Sequence, residues 1–229
     1  MDSTHLSTRL SAVAEFVPLG ARLADIGSDH AYLPANLLRN HKITYAVVGE
    51  VAKGPLDNAA HELRKHDLLA TSSVRLADGL AAVKNTDAID TITIAGMGGI
   101  LISDILAAGT QRGQSFETLI LQPNTDESVV RRWLNTHNYV ITDEEIVQED
   151  NHFYEIILAK PGNQILSEID IAFGPYLRIK KTSVFVAKWQ KERDRIMLIF
   201  KNLESAGKTN TENYKNWQAW YNQINEVIS

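Results

Sequence analysis

The 229 residues are 44% hydrophobic and 22% charged, the balance of an ordinary globular chain with room for one substantial domain and an appendage. The chain has no cysteine, which excludes disulfides, thiol catalysis and Cys-ligated zinc or iron–sulfur centres. Its formal net charge is −5, and it shows neither a run of 18 apolar residues nor a signal-peptide h-region, so the cytoplasm is the expected location.

From 20 to 160, strand-like and helix-like runs alternate. Short runs rich in Val, Ile, Leu and Thr fall at 22–26, 43–49, 73–77, 90–95 and 117–122. Helical runs lie between them near 31–40, 53–68, 98–109 and 125–136. Short apolar strands alternating with helices predict a parallel, doubly wound α/β sheet covered on both faces. Residues 139–148 and 152–160 then read as two strands joined by Glu149, Asp150 and Asn151, too short a joint for anything but an antiparallel hairpin. Five parallel strands closed by a terminal hairpin is the layout of class I methyltransferases.

Pro161-Gly162 punctuates the chain, which divides it into expected domains 1–161 and 162–229. After a short element at 164–172, positions 179, 182, 186, 189, 193, 196, 200 and 203 follow 3-4 stepping, and Tyr214, Trp217, Tyr221, Ile224 and Ile228 repeat it. Two such seams joined by a turn at 205–211 predict an antiparallel, coiled-coil-like helical hairpin whose aromatics form its core.

Charge divides with the domains. Residues 1–161 hold 13 Lys and Arg against 21 Asp and Glu, whereas 178–201 hold eight basic residues against Glu192 and Asp194, a net of +6. A basic segment on an acidic body is a footprint for a polyanion, with a merely solvated helix face as the plain alternative.

The residues with chemical character collect at strand ends. Residues 23–34 read LADIGSDHAYLP: a strand ends at Asp25, the chain turns at Gly27-Ser28, and Asp29-His30 lead into a helix. A glycine at such a junction lets the backbone approach a ligand. One glycine does not make the G-x-G-x-x-G dinucleotide fingerprint, and Asp25 and Asp29 would repel pyrophosphate. A ligand with an ammonium, a sulfonium and two ribose hydroxyls matches this acidity, and S-adenosylmethionine is one; the alternative is a plain helix N-cap at Asp29.

Glu50, beside Val51, ends the second strand at the spacing of a ribose-binding acid, although a Glu at a strand end is common. Asp78-Gly79 ends the third, as adenine-amine acceptor or simple turn. In IAGMGG (94–99), Ala95, Gly96 and Met97 would flank the transferred methyl group, with Met97 against the cofactor adenine. Gln122-Pro123-Asn124 ends the fifth strand near the same cleft, or starts the next helix.

LSTRL (6–10), ADIGSDHAYLP (24–34), GEV (49–51), RLADGL (75–80), AGMGG (95–99) and LQPN (121–124), with the C-terminal hairpin, resemble the bacterial tRNA adenine-22 N1-methyltransferases. The resemblance implies methyl transfer from S-adenosylmethionine to adenine N1 of a tRNA, with no metal. It places the cofactor among Asp25, Gly27, Asp29, Glu50, Asp78 and Gly96; Ser28, His30, Val51, Gly79, Ala95 and Met97 are the further expected cofactor contacts, His30 also shaping the loop. Asp29 is the expected stabiliser of the methylated, cationic base, and Tyr32 or Asn124 its positioner. Arg9, Lys180, Lys181, Lys188, Lys191 and Arg195 are the expected RNA contacts. The oligomeric state is left open, a monomer being compatible. Three rival readings stand beside this one: a small-molecule methyltransferase, a nicotinamide-dependent oxidoreductase, and a non-catalytic RNA-binding protein on the same fold.

Overall fold

The computed structural model describes residues 2–229. Its contacts divide the chain into two compact units, Met1–Pro175 and Tyr176–Ser229.

The first unit is a seven-stranded sheet in the order β3-β2-β1-β4-β5-β7-β6. The five parallel strands are β1 (Ala21–Ile26), β2 (Ile43–Glu50), β3 (Ser72–Leu76), β4 (Thr91–Gly98) and β5 (Thr118–Thr125). The antiparallel pair is β6 (Tyr139–Glu149) and β7 (His152–Pro161). Asp150 and Asn151, at φ +48° and +62°, make a two-residue turn of the primed kind, which matches the strand twist. β7 then inserts antiparallel beside β5, pairing Leu119 with Ala159 and Leu121 with Ile157.

Period-2 alternation sorts the apolar side chains onto the two faces. Ala24, Ile26, Val47, Ile92, Ile94, Leu119 and Leu121 point to one side and pack with Ile102 and Leu106 of α4 (Gly99–Gln111) and Val130 and Leu134 of α5 (Glu127–Thr136). Leu23, Ala46, Val48 and Ile120 point to the other. There they pack with Val13 of α1 (Thr8–Phe16), Leu33 and Leu37 of α2 (Tyr32–Arg39), and Ala59 and Leu63 of α3 (Lys53–Lys65).

α1 precedes the alternating stretch that begins at residue 20. Ser7 caps it by accepting the Leu10 N–H at 3.3 Å. Lys42 Nζ donates to the carbonyls of Ala14 and Glu15 at its other end. Buried Ser3 meets His66 Nε2 at 2.8 Å and the Thr8 N–H donates to Glu149, so the N-terminal segment is tied to the end of α3 and to the end of β6.

The boundary expected at Pro161-Gly162 does not coincide with the division at Pro175. α6 (Glu168–Phe173) opens with a capping box of Ser167 and Asp170, and its Ile171 carbonyl accepts from Arg131. Arg131 is fully buried and ion-paired to Glu144 and Glu155. A Cβ on Gly174 would lie 2.6 Å from Glu144 Oε2 and 2.8 Å from Arg131 Nη2, so the chain after α6 closes directly over that pair. Residues 162–175 therefore belong with the sheet.

The second unit contains α7 (Leu177–Lys180), α8 (Ser183–Ser205) and α9 (Glu212–Ile228). α8 and α9 run antiparallel. Phe200 lies 5.1 Å from Tyr214 and 5.7 Å from Tyr221, and Trp189 meets Trp220 edge-on at 5.8 Å. The single seam expected from Ile179 onward is broken. Lys181 turns left-handed at φ +44°, and the Thr182 hydroxyl caps α8 by accepting the Phe185 N–H. Ile179 is consequently 74% exposed, and the buried side chains of α8 are Phe185, Trp189 and Ile196.

Candidate active site

The carboxyl ends of β1, β2 and β4 converge on the turn after Ile26. Gly27, Asp29 and Ala31 take φ of +71°, +58° and +54° before α2 begins. Only glycine suits the first position. A Cβ there would be strained and would lie 2.0 Å from Met97 Cε, because the Met97 methyl covers the turn. Met97 thus packs on Gly27.

Ala31 holds the cap position of α2 with no side-chain cap. Asp29 is therefore not the helix cap. Its carboxylate is 66% exposed and 3.5 Å from His30 Nε2, and the His30 ring stacks on Tyr32 at 5.1 Å.

Two buried carboxylates hold this turn in place. Asp25, 4% exposed, accepts hydrogen bonds from Ser28 Oγ and, at 2.6 Å, from Thr93 Oγ1. Glu50, 5% exposed, accepts the backbone N–H of Asp29 at 2.5 Å. Burial pushes the Asp25 carboxyl above the usual range, against the pull of the Ser28 and Thr93 bonds and of the Arg9 charge. Burial also raises Glu50; the Asp29 N–H opposes this, and the charges of Asp25 and Asp29 reinforce it.

The opposite wall comes from α1 and the ends of β4 and β5. Gln122 is fully buried, and its Oε1 accepts both Arg9 Nη1 at 2.6 Å and the Gly96 N–H at 3.1 Å. Its Nε2 donates to the Pro123 carbonyl and to Asn124 Oδ1, and Asn124 Nδ2 returns to the Gly96 carbonyl at 2.9 Å. Gly96, at φ +81°, sits at the register shift of β4 against β5, so β4 continues through the glycine-rich stretch that the sequence presents as a loop. Gly99 is needed for close approach: a Cβ would lie 2.2 Å from the Asp126 carbonyl oxygen.

The resulting cleft is open to solvent and has a volume of about 210 Å³. Among the expected site residues, Asp25, Gly27, Ser28, Asp29, His30, Tyr32, Ala95 and Gly96 line it, and Arg9, expected on RNA, lines it too. Glu50 stands behind the turn. Val51 is 69% exposed beside it. Asp78 and Gly79 line a second cleft with Leu101, Asp104, Ile105 and Arg112. Asn124 is exposed at the β5 end. Sequence reasoning missed that Gln122 ties Arg9 to this wall; the polar Gln122 closing an otherwise apolar strand was the available signal. Among the described residues no three His, Asp or Glu side chains gather as metal ligands.

The basic residues of the second unit differ among themselves. Lys180, Lys181 and Lys191 are exposed. Lys188 Nζ lies 5.2 Å over the Trp189 ring. Arg195, expected to face solvent unengaged, instead makes a two-pronged pair with Glu192 at 2.7 and 2.6 Å and rests 5.2 Å from the Trp217 ring.

Comparison with known proteins gives a consistent match. The family model described as "TrmK: tRNA (adenine(22)-N(1))-methyltransferase" matches residues 23–229. The tRNA (adenine(22)-N(1))-methyltransferase of Bacillus subtilis is 41% identical over 94% of this chain and 92% of its own. The crystal structure of Streptococcus pneumoniae Sp1610 in complex with S-adenosyl-L-methionine superposes with a TM-score of 0.91 at 41% identity, covering 98% of this chain and 100% of that one. The structure of M. capricolum TrmK with S-adenosyl-homocysteine gives 0.86 at 31% identity, with 97% of each chain covered.

Proposed function

This chain belongs to the tRNA (adenine(22)-N(1))-methyltransferase family, and on that premise we propose that the cleft around the Gly27 turn is where its cofactor and the target base meet. The enzyme transfers a methyl group from S-adenosylmethionine to N1 of an adenine in tRNA.

One observation carries the assignment of the site: buried Asp25 and Glu50, with Asp29, crowd three carboxylates onto one turn at the switch edge of the sheet. Such a group favours a cationic, hydroxyl-bearing ligand. Glu50 has a second oxygen for the ribose hydroxyls while Oε1 holds the loop. Asp25, braced by Ser28 and Thr93, provides negative charge near the amino-acid end. Asp78-Gly79 receives the adenine amine, with Val51 against the ring.

The cofactor supplies an electrophilic methyl group on its sulfonium. Adenine N1 already carries a lone pair, so the protein has to desolvate and align it, and alignment alone is worth roughly 7–11 kcal/mol. Tyr32, stacked on His30, and Asn124, anchored to Gly96 and Gln122, are placed to hold the flat base. Asp29, the exposed carboxylate of the cleft, offsets the positive charge that develops on the ring. N1 lies on the Watson–Crick edge, so a paired adenine is opened first.

Lys180, Lys181, Lys188 and Lys191 supply phosphate contacts that position tRNA without reading its sequence. The working division is a methyltransferase domain followed by this C-terminal helical unit. No helix of the described residues is long and apolar enough to cross a membrane, and the cytoplasm, where tRNA is processed, is the proposed location. Incubation with labelled cofactor and unmodified tRNA, followed by nucleoside analysis, tests the reading. Label in 1-methyladenosine at position 22 is the expected result, and label elsewhere or none overturns it.

A further inference from the structure

Arg9 is the feature of the cleft that its acidic residues do not explain. It is carried by α1, yet it lines the same cavity as Asp25, Gly27, Asp29 and Gly96, and no Lys or other Arg lines that cavity among the described residues. Gln122 Oε1 holds Nη1 at 2.6 Å, and the guanidinium lies over the Tyr154 ring, 5.5 Å from its centre. The Cβ position of Gly96 is 3.4 Å from Nη1. The guanidinium is therefore fixed at the end of β4, with donors beyond the one that Gln122 takes.

The amino-acid end of S-adenosylmethionine bears a carboxylate as well as an ammonium. Asp25, Asp29 and Glu50 suit the ammonium, the sulfonium and the ribose hydroxyls. All three repel a carboxylate, which has to meet a cation to enter the cleft. A fixed guanidinium is matched to a carboxylate by its planar fork of donors, and such charge-assisted pairs are the strong ones.

We propose that Arg9, positioned by Gln122, binds the α-carboxylate of the methionyl end of the cofactor and is not an RNA contact. This rests on the reading of the cleft as the cofactor site. Gln122 shares its Oε1 between Arg9 and the Gly96 N–H and passes its Nε2 to Asn124, so the carboxylate end of the cofactor and the proposed base-holding Asn124 are anchored on one buried amide.

The test is calorimetry on the full chain with two probes: S-adenosylhomocysteine, and 5′-methylthioadenosine, which keeps the adenosine and thioether but lacks the amino-acid end. Arg9→Ala is expected to weaken S-adenosylhomocysteine on the order of 10–100-fold and to leave 5′-methylthioadenosine within about twofold, with Arg9→Lys recovering part of the loss. Unchanged S-adenosylhomocysteine binding overturns the proposal. An equal loss for both probes also overturns it, since Arg9 then only shapes the cleft. Glu50→Ala is the control for the underlying reading. It should weaken both probes, and if it changes neither, the cleft is not the cofactor site and both readings fall.

Discussion

The backbone N–H of Asp29 donates to the carboxylate of Glu50 across 21 residues of sequence, joining the loop after β1 to the end of β2. Glu50 thereby has two tasks. It clamps a loop with three left-handed residues, and it offers its other oxygen to a ribose. Glu50→Ala should weaken S-adenosylmethionine by about 1–3 kcal/mol, on the order of 5- to 150-fold, through the unpaired partners it leaves. Calorimetry measures this directly, and an unchanged dissociation constant would mean that another carboxylate holds the ribose.

Asp29 should act on the chemical step. Asparagine is the informative replacement, because it tolerates the φ of +58° that would strain alanine. Asp29→Asn should lower the single-turnover rate at saturating cofactor and tRNA more than it weakens binding of either. If cofactor affinity collapses while the saturated rate holds, Asp29 is a cofactor ligand and nothing more.

The raised Asp25 and Glu50 carboxyls give a pH dependence of definite sign. Both bind protons more readily folded than unfolded, so the folded protein carries more protons between the ordinary carboxylate range and their raised values. Their contribution to the stability of the cofactor-free protein therefore falls as pH rises through that window. Asp87, held low by its pairing with Arg75, works in the opposite direction, so the difference from Asp25→Asn is the clean quantity. The thermal midpoint of Asp25→Asn should gain on wild type as pH rises from about 4 toward neutrality. Cofactor affinity of wild type should tighten over the same range, as the carboxylates ionise opposite a cationic ligand. A midpoint difference independent of pH would show that Asp25 is not the titrating group.

Charge reversal at Lys180 and Lys181 should raise the tRNA KM and flatten the salt dependence, with cofactor affinity unchanged. The log–log slope should fall by about 0.7–0.9 for each phosphate that the protein no longer neutralises. Arg195→Ala should flatten the slope only slightly, because Glu192 already neutralises that guanidinium. Filter binding across a salt series reads both, and an unchanged slope for the lysine pair would take Lys180 and Lys181 out of the RNA surface.

The sheet was legible in the sequence because period-2 apolar runs and helix-length spacers are local patterns, and local patterns set strand and helix identity. The acidic turn was legible for the same reason: Asp25, Gly27 and Asp29 lie within five residues, and Glu50 follows at a fixed remove. The anchoring of helix α1 was not, since Lys42 holds the carbonyls of its last turn from a distant segment. Nor did 3-4 stepping reveal the break at Lys181, because a threonine hydroxyl competing for the next turn's N–H leaves the apolar spacing intact. Tertiary structure alone decided that Arg9 faces the cofactor cleft, that Glu50 braces the Asp29 loop, and that residues 162–175 close over the buried Arg131 pair. Each depends on a hydrogen bond or close approach between residues more than 20 apart in the chain, and chain spacing carries no record of such distances.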